Sequence, residues 1–180
     1  NLGWWNEIVN DRFTQRSVSV TLCPLTGTGL VFDATDTDGS QIELGVSGLL
    51  INSNLVMYDR RDGETLYPQM IFTGINGDFR GEKLELLPAL ETTWGLWKKL
   101  YPETKVAQRV TGLERYDDGL RDRYADAIGR YEENQGGYPY GDYRSNDQYL
   151  IFPPTTSIPD LSRYGSKDVV LGICIEDQTK

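Results

Sequence analysis

Ser17-Val18-Ser19-Val20-Thr21-Leu22-Cys23-Pro24-Leu25-Thr26-Gly27-Thr28 alternates small polar and apolar residues, then breaks into a turn built from Pro and Gly. Alternation with period two is the pattern of a half-buried β-strand, and Pro with Gly ends it. The reading places Cys23 at a strand end, where a thiol can reach solvent and substrate. The competing reading is a structural thiol packed at the top of a sheet as a small hydrophobe.

Working outward, the chain continues as short strands separated by turns. Gly29–Phe32 resumes as a second strand. The polar stretch Asp33–Ser40 carries Asp38-Gly39, a hairpin signal, with Gln41–Val46 as the return strand. Gly45-Val46-Ser47-Gly48 breaks that strand, and Leu49–Ile51 follows. Asn52-Ser53-Asn54 is a turn, and Leu55–Asp59 is a strand that ends in a carboxylate. Arg61–Glu64 turns, Thr65–Gln69 returns, and Ile71–Ile75 and Lys83–Leu87 read as two more strands. Frequent turns between short strands favour a barrel or sandwich.

Three segments read as helices. Gly3–Arg12 places Trp4, Trp5, Ile8 and Val9 on one side, with Asn10-Asp11 turning the chain afterwards. Pro88–Leu100 repeats Leu90, Trp94, Trp97 and Leu100 at helical spacing and stops before Pro102. That spacing makes Trp94 and Trp97 core residues. Asp117–Glu133 carries a narrow stripe of Leu120, Tyr124, Ile128 and Tyr131. Lys105–Val110 and Asp168–Ile175 complete the strands, the latter as a buried one. The expected fold is α+β and β-rich: an antiparallel sheet or partly closed barrel with one or two packed helices, in a single domain over residues 1–180.

The 180 residues hold 18 Lys+Arg against 27 Asp+Glu, a net charge of −9. This balance argues against nucleic acid, which calls for a basic patch, and against an anionic membrane surface. No window approaches the roughly 18 apolar residues of a membrane span. With His 0, serine and cysteine triads, imidazole zinc sites and proximal-histidine haem are excluded. Two cysteines, Cys23 and Cys174, permit one disulfide but cannot build a zinc or iron–sulfur centre alone. Asp33, Asp36, Asp38 and Glu43 miss the spacing of a calcium loop and read as a solvated hairpin. No set of metal ligands is identified, and no motif identifies a cofactor.

Cys23 is the candidate nucleophile, and Asp59, just before Arg60-Arg61, is the candidate base or orienting carboxylate. Thr26 and Thr28 on the cysteine turn, Tyr58 beside Asp59, and Tyr138, Tyr140 and Tyr143 in a Tyr/Gly/Pro loop are candidate binding residues. The leading expectation is a binding or assembly module with a pocket near Cys23, Asp59 and the Tyr138–Tyr143 loop. One alternative is a thiol-dependent enzyme or a redox or soft-metal protein using Cys23. Another is a structural subunit of a surface assembly, with apolar exposed edges. The expected partner is a protein, either another chain or a second copy.

Several blocks together resemble one family of bacterial and archaeal proteins. They are Glu7-Ile8-Val9-Asn10-Asp11, Cys23-Pro24-Leu25-Thr26-Gly27-Thr28, Gly45-Val46-Ser47-Gly48, Asn54-Leu55-Val56-Met57-Tyr58-Asp59 and Thr92-Thr93-Trp94. Tyr138-Pro139-Tyr140-Gly141-Asp142-Tyr143 and Val170-Leu171-Gly172 complete the set, in the family's order. The family is domain of unknown function 3179. The resemblance implies an extracytoplasmic or cell-envelope location and makes Cys23 the family's motif cysteine. Some relatives read Cys-Pro-Leu-Cys there; this chain has Thr26 at the matching position, so the CxxC pair is absent. Asn6 stands where many relatives carry His, and Asp117–Gln135 resembles an insertion. Family chains usually run longer at both ends, which implies that this is a domain-sized part of one. The resemblance implies no activity.

Overall fold

In the computed structural model, described over residues 7–105, 140–153 and 164–170, the strands form two antiparallel sheets. The four-stranded sheet has the order β1 (Ile8–Phe13), β2 (Arg16–Cys23), β3 (Thr28–Asp33) and β7 (Glu85–Leu87). The three-stranded sheet has the order β4 (Leu44–Ile51), β5 (Asn54–Asp59) and β6 (Leu66–Pro68). The β-rich α+β class holds, as two sheets rather than a closed barrel. They meet at β1 and β4 through a side chain: Asn10 Nδ2 donates to the Leu44 carbonyl (2.8 Å) and Asn10 Oδ1 accepts from Leu44 N–H (3.1 Å). One amide thus reproduces the donor–acceptor pair of a strand neighbour.

The alternation in β2 is real, but its polar face is the deeper one. Ser17, Ser19, Thr21 and Cys23 are all buried, whereas Val20 and Leu22 are only half-buried. Burying hydroxyls is tolerated where they find partners. Ser19 Oγ donates to Asn10 Oδ1 (2.7 Å), and Thr21 Oγ1 donates to the Leu30 carbonyl (3.0 Å). The core around this face joins Cys23, Leu25, Phe32, Leu44, Met57 and Tyr67, among others.

Several expected elements change. Ile8–Phe13, most of which falls in the expected helix Gly3–Arg12, is strand β1, registered against β2 from Ile8↔Thr21 to Phe13↔Arg16. Pairing with β2 overrides a short amphipathic pattern that fits either period. The chain reverses after Phe13, with Thr14 at φ 56, rather than at Asn10-Asp11. The Asp38-Gly39 hairpin closes only locally, through the Thr35↔Gln41 bridge, before the chain crosses to the second sheet. The expected break at Gly45–Gly48 is a bulge inside β4: Val46 faces Met57, but Leu50 already faces Leu55. Gly48 supplies the positive φ (77) there, and Ser47 Oγ fills the gap by donating to the Val56 carbonyl (2.5 Å) and accepting from Leu49 N–H (3.0 Å). Ile71–Ile75 contributes only the Thr73↔Lys83 bridge, and Lys83–Leu87 shortens to β7.

Helix α1 (Trp94–Leu100) starts later than Pro88, because the extended Thr93 caps it and accepts from Leu96 N–H (3.2 Å). None of its residues is buried, so it is not packed on either of the described sheets, and Trp94 is 48% exposed. Trp97 satisfies itself locally, donating from Nε1 to Thr104 Oγ1 (3.0 Å) and lying 4.5 Å from the Tyr101 ring centroid. The two tryptophans are therefore not core residues. Asp168–Val170 is not strand, and Val169 is 97% exposed. Lys105 is not in a strand either. The rest of those two expected strands, the helix Asp117–Glu133, Tyr138 and Cys174 lie outside the described residues. Among the described residues, no helix is long and apolar enough to cross a membrane.

Candidate functional site

The turn after β2 is closed by Gly27 N–H donating to the Cys23 carbonyl (2.9 Å), with Gly27 at φ 66. This left-handed position is one that glycine takes at low cost. Cys23 is a free thiol and only 1% exposed. Its Sγ faces the Ser53 carbonyl at 3.6 Å. The turn position therefore does not bring the thiol to solvent, because the β4–β5 hairpin lies over it.

That hairpin uses Asn52 (φ 49) and Ser53 (φ 65), both in the left-handed region, as a two-residue turn with matching twist demands. Serine is an unfavourable choice at such a position, and here both of its oxygens are used. Its carbonyl receives the Cys23 thiol, and its hydroxyl accepts from Phe152 N–H (3.2 Å). Beside it, Asn54 Nδ2 donates to Thr26 Oγ1 (3.0 Å) and to Gln69 Oε1 (2.8 Å). Gln69 Nε2 in turn donates to Thr21 Oγ1 (2.8 Å) and to the Thr28 carbonyl (3.1 Å). Thr26 and Thr28 share a hydroxyl–hydroxyl bond of 2.9 Å. A buried amide network thus fixes the turn from below, while Thr26 stays exposed and Thr28 half-buried.

The tyrosine loop reaches the same end. Tyr143 is buried in the shared core, its ring edge-on to Tyr149 at 5.1 Å and beneath the Lys167 ammonium at 3.2 Å. A Cβ on Gly27 would lie 3.7 Å from Arg144 Nη2, so the loop passes directly against the cysteine turn. Tyr143 is thus a packing residue and Tyr140 an exposed one.

Asp59 is elsewhere. Asn54 opens β5 and Asp59 closes it, roughly 16 Å away at about 3.3 Å per residue. The expected grouping of Cys23 with Asp59 is not formed. Asp59 is fully buried, and both of its oxygens accept from Arg61 Nε (3.1 and 3.0 Å), with Nη2 adding a bond of 2.6 Å. Arg61 also reaches Asp36 (2.5 Å) and Glu82 (3.2 Å) and lies 3.7 Å over the Phe79 ring. Burial opposes the Arg61 charge, but its bonds to Asp59 and Asp36 outweigh that and hold it more strongly protonated than usual. The bond from Arg61, and then that from Thr37 N–H, hold Asp36 below the usual carboxylate range. With both oxygens engaged by Arg61, Asp59 is an ion-pair partner inside the core rather than a carboxylate open to a ligand. Tyr58, next to Asp59, is half-buried against Gly45, where a Cβ would run into its ring.

The residues that organise the Cys23 end, Ser53, Asn54 and Gln69, were not singled out from the sequence. Their signal was present only as a turn tripeptide and as the last residue of a return strand. Among the described residues, no group of three or more His, Cys, Asp or Glu side chains could hold a metal ion. A family model described as protein of unknown function (DUF3179) matches residues 2–180. No curated protein and no solved structure matches the chain.

Proposed function

The chain belongs to the DUF3179 family, described as of unknown function, and on that premise we propose that it is an extracytoplasmic binding or assembly module. Its contact surface is the end of the two sheets that carries the Cys23 turn, the Asn52-Ser53 turn and the Tyr140–Phe152 loop. One observation carries this reading. At that end the Asn54 and Gln69 amides and the Cys23 thiol are tied inward, while Met70 and Phe152 stand 60% and 49% exposed on the segments the network holds. Met70 follows Gln69 directly, and Phe72 behind it sits at φ 45, an unfavourable backbone for a bulky residue. Exposed apolar side chains on an over-determined backbone suit a protein contact. The location outside the cytoplasm rests on the family resemblance alone.

The thiol-enzyme alternative needs Cys23 to leave its place against Ser53, so its burial favours the binding reading. Self-assembly is tested by sedimentation velocity over a range of concentrations. The expected result is association that weakens in Met70→Lys and Phe152→Lys while the melting temperature holds. A monomer throughout, unchanged by either substitution, would remove the second copy as partner and leave only a different protein.

A further inference from the structure

We draw no further inference here: the strongest candidate, the exposed apolar side chains of Trp94, Leu96 and Leu100 on α1 with Leu90 and Tyr101 beside them, carries nothing because nothing in the structure shows what covers them.

Discussion

Asp59 and Tyr67 show how differently two buried polar groups can be treated in one core. Asp59 has a guanidinium across both oxygens, whereas the Tyr67 hydroxyl has no hydrogen-bond partner among the described residues. Burial raises the Tyr67 pKa, and the nearby Glu82 and Asp59 charges raise it further, so the phenol stays neutral. An unsatisfied buried hydroxyl costs roughly 1–3 kcal/mol. Tyr67→Phe is therefore expected to stabilise the fold by about 1 kcal/mol in urea unfolding, with an unchanged slope. A loss of stability instead would mean that the hydroxyl has a partner. Removing one side of the Asp59–Arg61 pair has the opposite sign: Arg61→Ala strands a buried carboxylate and should cost about 3–5 kcal/mol.

The same cluster sets an acid limb. The folded-state pKa of Asp36 is lowered, so its contribution is fully present above the unfolded-state value near about 4 and is lost as pH falls through the folded one. Stability should therefore fall on acidification below roughly pH 4, and Asp36→Asn should flatten that fall. Asp36 is partly exposed, so the effect is modest and screened by salt. An Asp36→Asn variant with an acid limb identical to that of the parent would contradict this assignment.

At the scale of elements, α1 and the sheets should behave independently. α1 has a threonine cap and Lys98 and Lys99 in its last turn, but no buried residue. A helix this short is marginal without tertiary packing. Its amides should exchange hydrogen quickly, whereas those of β2 and β5 should exchange only near global unfolding. Slow exchange in α1, matching β5, would show that something holds the helix down. Strand β2 is legible from its alternation, and β3 and β5 from apolar runs bounded by turn residues. The inward polar face of β2 is not, because it depends on Asn10 and Gln69, which are remote in sequence. The start of α1 was misplaced because helical spacing alone ignores the cap at Thr93. β1 was misassigned because Ile8 and Val9 fit either a helix or a strand until a partner strand decides.

For the whole molecule, the Cys23 turn and the loop of Tyr143 were expected together and are together, whereas Asp59 was expected with them and is not. The reason is topological. In an antiparallel meander, successive turns fall at alternate ends, so the turn before β5 and the carboxylate that closes it face opposite ways. The Cys23 end is built as a fixed surface, and the Asp59 end as an ion cluster that pins the connections around Asp36, Arg61 and Glu82. Open strand edges are also managed. Asn10 closes the β1–β4 approach, and the bulge at Gly48 interrupts the rest of β4. The most direct test of a structural rather than nucleophilic Cys23 is its alkylation rate in the folded Cys174→Ser variant, followed with and without denaturant. The expected result is negligible labelling in native buffer and complete labelling once the protein unfolds. Rapid labelling of the folded protein would place the thiol at the surface and contradict the binding-module reading.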